Sequence, residues 1–507
     1  MDTLLMSSFI LVPLAGVALA LLCRTTRGVL AVLIAVSLID AVMSVVLVSA
    51  AGGGGSIEAA GELLRADAFS AWHIVILSLV VFLPSTLYAF AYFEGGKGID
   101  LAYAKRFGGL WLGAYAAMSA AMLTGNIGVM WVALEASTLF TAFLIYRKGN
   151  PASLEAMWKY IIMCSVGVAL AFIGTLLMAA AGQHAGLVGS DSLSLSHLYA
   201  IRAALKPNLA LTAFVFILIG YGTKAGLAPM HNWLPDAHSQ APGPVSAMFS
   251  GFLLNAALYC ILRFLPLVGS DPGVGALAGG VLSKAQLLLL AIAMLSIILS
   301  AIFIFFQRDA KRMLAYCSVE HMGIIAFAYA LGPIGALAGL FHTLNHSLAK
   351  TAGFFSAGSL GRKLGTNQLP EFAGAWSKHR LYAGGFAVSL AALIGIVPFS
   401  IFMSEFMLAR AAVDARQFVP LAIFLGATSL VFLMMSRHAI VTLWRREGSS
   451  SAAQGGVEKR AGNGRPRAVE AFVIILPLAA LALLGLWMPR AVGDLMRHAA
   501  EALWSLK

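Results

Sequence analysis

Fourteen apolar segments follow one another along the chain, at approximately 4–23, 29–50, 71–93, 108–124, 126–146, 158–182, 207–229, 242–266, 285–306, 312–331, 334–360, 381–403, 418–444 and 469–489. About twenty apolar residues in a helix cross the hydrocarbon core of a bilayer. Lipid offers backbone N–H and C=O groups no partners, so a spanning segment must satisfy its own hydrogen bonds. The expected fold is therefore an all-α polytopic membrane protein with about 14 transmembrane helices. Composition agrees: 60% of the residues are hydrophobic and 11% charged, against about 25% charged in soluble domains. The first apolar run has no basic residue before it and no clear small-residue cleavage site, so it reads as the first span rather than a signal peptide.

The net charge of +12 would suit a nucleic-acid partner if the basic residues clustered. Instead most occupy short loops. About twenty Lys and Arg lie on the odd-numbered loops and nine on the other side. Basic loops stay cytoplasmic, so both termini are expected outside, at the periplasmic face of a bacterial inner membrane. No nucleic-acid partner is expected. Ala50–Ser56 reads as a flexible external turn, 445–468 as a flexible cytoplasmic linker rich in Gly, Ser and Arg, and Leu193–Lys206 as a segment lying flat on the outer surface. Trp72, Trp111, Trp131, Trp487 and Trp504 lie near span ends and suit interfacial belts. Cys23, Cys164, Cys260 and Cys317 form no C-x-x-C pair, so no metal site and no cofactor is expected in this chain. No glycine-rich phosphate loop occurs in a strand–turn–helix context.

One stretch departs from plain lipid-facing helix. Thr212–Arg263 carries Lys224, then Pro229, then His231-Asn232-Trp233-Leu234-Pro235-Asp236-Ala237-His238. A lysine at the centre of a span costs about 2.5–3.5 kcal/mol on insertion. Pro229 has no N–H to donate and frees a carbonyl one turn back. Together they indicate a broken helix lining a polar cavity. His231, Asp236 and His238 fit no familiar metal spacing and read as structural hydrogen-bonding groups.

Further ionisable residues fall inside spans: Glu135, Lys159, Glu320, His321, His342, His346, Lys350, Glu405, Arg437 and His438. Each is a functional-site hypothesis by default. His342, His346 and Lys350 recur every fourth residue and so share one helix face. Imidazole changes charge near neutral pH, and desolvation makes a lysine able to do so. The row is either a proton relay or a polar stripe that bonds neighbouring helices. Glu135 and Lys224 form the expected pair. A carboxylate within about 4–6 Å keeps a lysine charged, so a small movement would load or unload a proton; a static ion pair fixing helix register is the alternative.

Polar placement also hints at duplication. Spans 4–8 offer Glu135 and then Lys224 near Pro229; spans 9–13 offer Glu320 and then Glu405 near Pro398. An odd number of spans per unit inserts the copies with opposite topology, and two inverted five-helix repeats with broken helices mark transporters. The expected divisions are an N-terminal three-helix segment (1–107), a first repeat (108–266), a second repeat (285–444), the linker (445–468) and a C-terminal span and tail (469–507).

Gly222-Thr223-Lys224-Ala225-Gly226-Leu227-Ala228-Pro229-Met230-His231-Asn232-Trp233-Leu234-Pro235-Asp236-Ala237-His238-Ser239 resembles the signature of the antiporter-like proton-translocating subunits. These occur in respiratory complex I, multisubunit cation/proton antiporters and membrane-bound hydrogenases. The resemblance covers nearly the whole chain. Trp131–Leu139, Ser153–Tyr160, His342–Lys350 and Ser318–Gly323 resemble the hydrogenase-4 component F branch. The resemblance implies that Glu135 is the essential glutamate and Lys224 its lysine partner. It implies that His342, His346 and Lys350 form a central hydrophilic axis and that Glu405 is the terminal residue on the second broken helix. Asn255 departs from the pattern, standing where several complex I relatives carry a lysine. The long C-terminal lateral helix of the largest such relative has no counterpart.

The expectation is a subunit that moves protons outward, or exchanges Na⁺ for protons, within a hydrogenase-4/formate-hydrogenlyase-type complex. Its partners would be other membrane subunits and peripheral hydrogenase or dehydrogenase subunits on the cytoplasmic side, which would hold nickel–iron and iron–sulfur centres or flavin. Rivals are the same role in an NADH-quinone oxidoreductase or a multisubunit cation/proton antiporter, and, from another class, a non-conducting scaffold for a peripheral enzyme.

Overall fold

The structure, a computed structural model, describes residues 2–94, 98–147, 149–268, 282–444 and 467–504. The expected linker at 445–468 lies, up to residue 466, outside the described residues. Each of the fourteen apolar segments is met by helix. α1 (Asp2–Leu22), α2 (Thr26–Ala51) and α3 (Ala68–Tyr92) precede α4 (Leu101–Leu123), α5 (Ile127–Ile145), α6 (Pro151–His184) and α7 (Pro207–Lys224). After a break come the short α8 (Trp233–Gln240), then α9 (Gly243–Val268), α10 (Lys284–Phe306), α11 (Ala310–Ala330) and α12 (Pro333–Leu364). A second break separates α13 (Arg380–Leu393) from α14 (Ser400–Asp414); α15 (Phe418–Trp444), α16 (Ala468–Leu486) and α17 (Arg490–Trp504) follow. Among the described residues, ten helices are long and apolar enough to cross a membrane. The protein is a multi-pass, all-helical membrane protein apart from one small feature. The turn after α2 leads into a hairpin, β1 (Ile57–Ala59) paired antiparallel with β2 (Leu64–Ala66).

Large apolar side chains remain exposed on the outer helices, among them Leu11, Val42, Ile162, Phe305 and Leu433. Such a surface would be a liability in water and is the lipid-facing belt of a membrane protein. Inside, helices approach closely through small residues, as membrane packing favours. A Cβ on Gly220 of α7 would lie 2.4 Å from Ala171 N and 2.6 Å from Gly167 O of α6. α12 is the hub. It packs on α3, α9, α11, α13, α14, α16 and α17, and is buried almost continuously from Gly335 to Gly361.

Both breaks have one form. Gly226 (φ 73°) is followed by Leu227, Ala228 and Pro229; Gly395 (φ 69°) by Ile396, Val397 and Pro398. A positive φ suits glycine and strains other residues. Each proline follows a cis peptide bond. The amphipathic α17 packs Leu495, Met496, Ala499 and Leu503 inward against α3 and α12. The segment expected to lie flat at 193–206 folds into short helical pieces, including Leu195–Ala200. Trp72 and Trp111 do not reach the protein surface. Both are buried, and the Trp111 indole donates to Thr86 Oγ1 at 2.9 Å, which gives its N–H a partner inside the protein.

Arg263 closes α9 onto α3 within the interior. Its guanidinium forms two 2.7 Å bonds with the Asp67 carboxylate and donates to Ser70 Oγ at 2.8 Å and Tyr259 OH at 2.9 Å. Asp67 also caps α3 by accepting from Ser70 N. Removing one member of such a pair strands a buried charge, at a cost of about 3–5 kcal/mol. Arg263→Met is expected to lower the thermal denaturation midpoint of the purified protein. Asp67→Asn combined with Arg263→Met is expected to recover part of that loss.

Candidate functional site

Lys224 is the last residue of α7, fully buried, and its ammonium is held by α5. Nζ donates to Leu134 O at 2.5 Å, Ser137 Oγ at 2.7 Å and Thr138 Oγ1 at 2.5 Å. Three acceptors match the three N–H donors of a charged lysine. Glu135 sits on the same turn of α5, yet no ion pair joins it to Lys224. Its Oε1 accepts from Ser165 Oγ at 3.0 Å, and its buried Oε2 has no partner. The expected pair is thus adjacent but unbonded. The turn's carbonyl and hydroxyls hold the cation, while one carboxylate oxygen stays free.

The break beyond Lys224 is stabilised from two sides. The Trp233 indole donates to Thr223 O at 2.9 Å, a second and shorter bond to a carbonyl that Gly226 N meets at 3.3 Å where the helix ends. Ala228 N donates to Ser296 Oγ of α10 at 2.9 Å. The second break is held in the same manner. Asn345 of α12 donates to Ser400 O at 2.9 Å, and Ser400 Oγ donates back to Asn345 Oδ1 at 2.8 Å.

In the second half the row on α12 faces α11 and α14. His321 Nδ1 and His342 Nε2 are 2.8 Å apart, and His342 Nδ1 lies 2.9 Å from Ser404 Oγ. Ser404 Oγ donates to Ile401 O, so it accepts from His342 Nδ1–H. His342 Nε2 then accepts from His321 Nδ1–H, and His321 Nε2 completes no hydrogen bond, with the Leu393 carbonyl beside the ring. These tautomers follow from the network. A proton taken up at His321 Nε2 can be passed through His342 toward Ser404, the neighbour of Glu405, by successive donor–acceptor exchange. Glu405 Oε2 lies against the break; a Cβ on Gly395 would come within 2.6 Å of it. His346 is buried, has no partner on either nitrogen, and has its ring 5.4 Å from that of His321. Lys350 donates to Leu314 O at 2.9 Å.

Cys317, Glu320 and His321 bring a thiol, a carboxylate oxygen and a ring nitrogen within 4.8 Å of one another. A thiolate, carboxylate and imidazole could hold a metal ion. Cys317 also touches the Lys350 side chain, which places a competing cation beside that donor set.

The halves meet at α9 and α12. Asn255 Nδ2 donates to Ser347 Oγ at 3.2 Å and to Gly251 O at 3.1 Å, and Ser347 Oγ donates to Gly251 O at 2.7 Å. Ser250 and Ser318 hydroxyls bond at 2.7 Å. Here α9 widens into a π-helical turn, Phe249–Leu253, an irregularity common at functional sites.

Other expected members lie elsewhere. Lys159 is not buried: its side chain is 49% exposed and bridges Glu155 (2.7 Å) to Asp236 (3.2 Å), which also binds Arg312 at 2.6 Å. Two carboxylates meet its charge at the protein surface, so it belongs to a surface ion network rather than to the interior group. Arg437 is exposed and His438 half-buried on α15. His238 is not hydrogen-bonded; it stacks on Phe354 with centroids 4.7 Å apart. Ser137, Thr138, Ser165, Asn345 and Ser404 were invisible as site residues in the sequence, since hydroxyls and amides inside spans are common. For Ser137, Thr138, Asn345 and Ser404 the only signal is position, within one helical turn of an ionisable residue; Ser165 carries none, because it meets Glu135 from another helix.

Residues 124–431 match the family described as NADH:quinone oxidoreductase/Mrp antiporter, transmembrane. The chain is 38% identical over 337 residues to a hydrogenase-4 component F homolog of Methylacidiphilum infernorum, covering 66% of this chain and 69% of that protein. It is 29% identical over 360 residues to hydrogenase-4 component B of Escherichia coli, covering 69% of this chain but half of that longer protein. In fold it matches a chain of the membrane-bound sulfane sulfur reductase, an archaeal respiratory membrane complex, with TM-score 0.84 at 24% identity, covering 100% of this chain and 98% of that one. It also matches a chain of respiratory complex I from Thermus thermophilus, with TM-score 0.78 at 22% identity, covering 100% and 99%. The antiporter-like fold of complex I is therefore shared, and these structural neighbours are subunits of multisubunit membrane complexes.

Ser404→Ala removes the acceptor that fixes the His342 tautomer. Proton flux through the assembled complex is expected to fall several-fold with helix content unchanged by circular dichroism, whereas Ser404→Thr is expected to retain most of it.

Proposed function

The chain belongs to the NADH:quinone oxidoreductase/Mrp antiporter transmembrane family, and from that premise we propose that it is the proton-translocating membrane subunit of a hydrogenase-4/formate-hydrogenlyase-type complex. The observation that carries the reading is the buried Lys224 at a helix break, cradled by the turn that bears Glu135, with Asn255–Ser347 and His321–His342–Ser404 continuing the polar groups into the second half. The 38% identity to the component F homolog, against 29% to an NADH-quinone oxidoreductase subunit N of Desulforudis audaxviator, supports the hydrogenase branch.

In this reading the chain has fourteen spans. Residues 108–266 and 285–444 form two inverted five-helix repeats, flanked by the three-helix segment 1–107, the linker 445–468 and the final span and tail. The shared Gly-x-x-Pro breaks at Gly226–Pro229 and Gly395–Pro398 support the repeat. Basic loops place both termini in the periplasm of a bacterial inner membrane. Electron transfer takes place in peripheral partner subunits carrying nickel–iron and iron–sulfur centres or flavin.

Lys224 works as the switch of the first half. Seated on Leu134 O, Ser137 and Thr138, its charge is solvated by dipoles alone. Swung toward the free Oε2 of Glu135 it gains a counter-ion; swung away from both it is left desolvated and sheds a proton. Each proton delivered against 100 mV requires about 2.3 kcal/mol, a scale within reach of making or breaking one buried charge contact. His321, His342 and Ser404 then carry the proton toward Glu405, and Glu320 and Lys350 set the charge around that path.

Lys224→Ala and Glu135→Gln are each expected to cut proton translocation at least tenfold in liposomes containing the assembled complex, with assembly unchanged on native gels. Normal pumping in either variant would remove the switch. A non-conducting scaffold predicts no flux even in the wild-type complex. Nickel–iron subunits co-purifying with this chain would separate the hydrogenase reading from an NADH-quinone oxidoreductase or a cation/proton antiporter.

A further inference from the structure

A fully buried carboxyl lies outside every group described so far. Asp40 stands near the middle of α2, and neither of its oxygens has a hydrogen-bond partner. Among the described residues no cation pairs with it. Its neighbours along the helix, Leu38, Ile39, Val42 and Val45, are exposed to lipid, whereas Ser37, Asp40, Ala41 and Ser44 are buried. At spacings of three and four residues these four share the inward face.

That face meets α3 and α4, and what they bring is mostly hydroxyl. α3 turns π-helical over Ile76–Phe82 where it packs on α2, and Ser78 of this stretch bonds Tyr115 OH of α4 at 2.7 Å. Tyr115 lies within electrostatic reach of Asp40. Ser119, one turn beyond Tyr115, is buried and brings its hydroxyl beside the Tyr115 phenol. On the other side Ser37 Oγ donates to Thr86 Oγ1 at 3.0 Å. The titratable groups on the packed helices are few. Tyr115 faces Asp40. His73 on α3 is bonded to Phe69 O, Tyr88 is bonded to Phe355 O and Ser359 Oγ, and α1 contributes no ionisable side chain within its span.

We propose that Asp40 is a second proton-binding site of this subunit, separate from the Glu135–Lys224 and His321–His342 groups. Its pocket holds a carboxyl with no counter-ion, beside hydroxyls that can serve either protonation state. In the Tyr115–Ser78 bond either oxygen can be the donor, and neither bonds Asp40 in this arrangement. A change of side-chain rotamer that brought Asp40 to this pair would let the phenol accept from the acid O–H while donating to Ser78, or donate to the carboxylate while accepting from Ser78. On release the proton leaves to water as hydronium, and uptake is the reverse. The position also has a consequence for the centre of the protein. The π-helical part of α3 packs on α12 and on the π-helical turn of α9. A Cβ on Gly251 would lie 3.0 Å from Val81 Cγ1 and 3.1 Å from Thr351 Oγ1. One helix therefore separates Asp40 from the Asn255–Ser347 junction.

The test is infrared spectroscopy of the full chain in lipid nanodiscs, grown with aspartate ¹³C-labelled at the side-chain carboxyl. The label moves aspartyl bands away from those of Glu135, Glu320 and Glu405. The other deeply buried aspartate, Asp67, is bonded to Arg263 and gives no acid band. A protonated aspartyl C=O stretch at neutral pH, lost reversibly as pH rises and absent from Asp40→Asn, is expected. Three results would overturn the proposal: no protonated aspartyl band at any pH, a band that persists at every pH, or a band that remains in Asp40→Asn. Titration with NaCl against choline chloride at fixed pH separates a further case. Loss of the band on adding sodium would replace the proton site with a sodium site and overturn the assignment; insensitivity to sodium supports it. Should Asp40→Asn not assemble, the wild-type pH and sodium series decides alone. The outcome is independent of whether flux requires Lys224.

Discussion

Lipid leaves no backbone group to water, and the rest of this structure depends on that constraint. Most helices meet it within themselves. The two that do not, at Gly226–Pro229 and Gly395–Pro398, need outside partners, and the protein supplies them from identified side chains. The Trp233 indole takes Thr223 O, Ser296 takes Ala228 N, and Asn345 exchanges two bonds with Ser400. Irregular backbone at membrane depth is tolerated only in protein-lined surroundings of this kind. The charged residues sit at these same places. A broken helix already needs polar company, so Lys224 and Glu405 add to polar surroundings instead of creating them.

The hub helix meets the constraint in the opposite way. α12 is unbroken for 32 residues, about 48 Å at 1.5 Å per residue, and its polar side chains turn inward on neighbours rather than its backbone. Lys350 reaches Leu314 O, Asn345 reaches the start of α14, and His342 joins His321 to Ser404. Its glycines, alanines and serines let seven other helices close around it. A Cβ on Gly358 would stand 3.0 Å from Gly243 Cα. An inward-facing polar row on a fully enclosed helix avoids the lipid penalty that isolated intramembrane charges carry.

Much of this was legible in the sequence, for physical reasons that differ by element. Apolar length placed the helices, because bilayer thickness sets it. Lys224 with Pro229 disclosed the first break, because each alone is costly in lipid and both together need a cavity. The four-residue spacing of His342, His346 and Lys350 fixed their common face. Where the reading failed, the sequence lacked the partner. Lys159 looked intramembrane until Glu155 and Asp236 were seen to draw it to the surface. Arg263 looked like a helix end until Asp67, 196 residues away in the chain, was seen to neutralise it. Trp111 suited an interface by position, but its indole is taken up by Thr86. Asp40 was in plain view in the second apolar segment, and nothing in the sequence could reveal that it lacks any partner.

The junction between the halves limits what they can exchange. Asn255 is neutral at every accessible pH, and its Oδ1 accepts no hydrogen bond while its Nδ2 serves Ser347 and Gly251. An amide cannot store a proton, so no charged intermediate rests between Lys224 and the histidines. It can turn, however, and a turn would exchange donor for acceptor toward Ser347 and, through it, the backbone of Gly251. Communication across the middle is then confined to the orientation of dipoles and to water they admit. Under the proposed function, stored charge stays at the two ends, on Lys224 with Glu135 and on the His321–His342 pair with Lys350 and Glu320. Two charge stores separated by a neutral, reorientable bond can influence one another without a standing proton leak. A continuous row of titratable groups could not offer that separation.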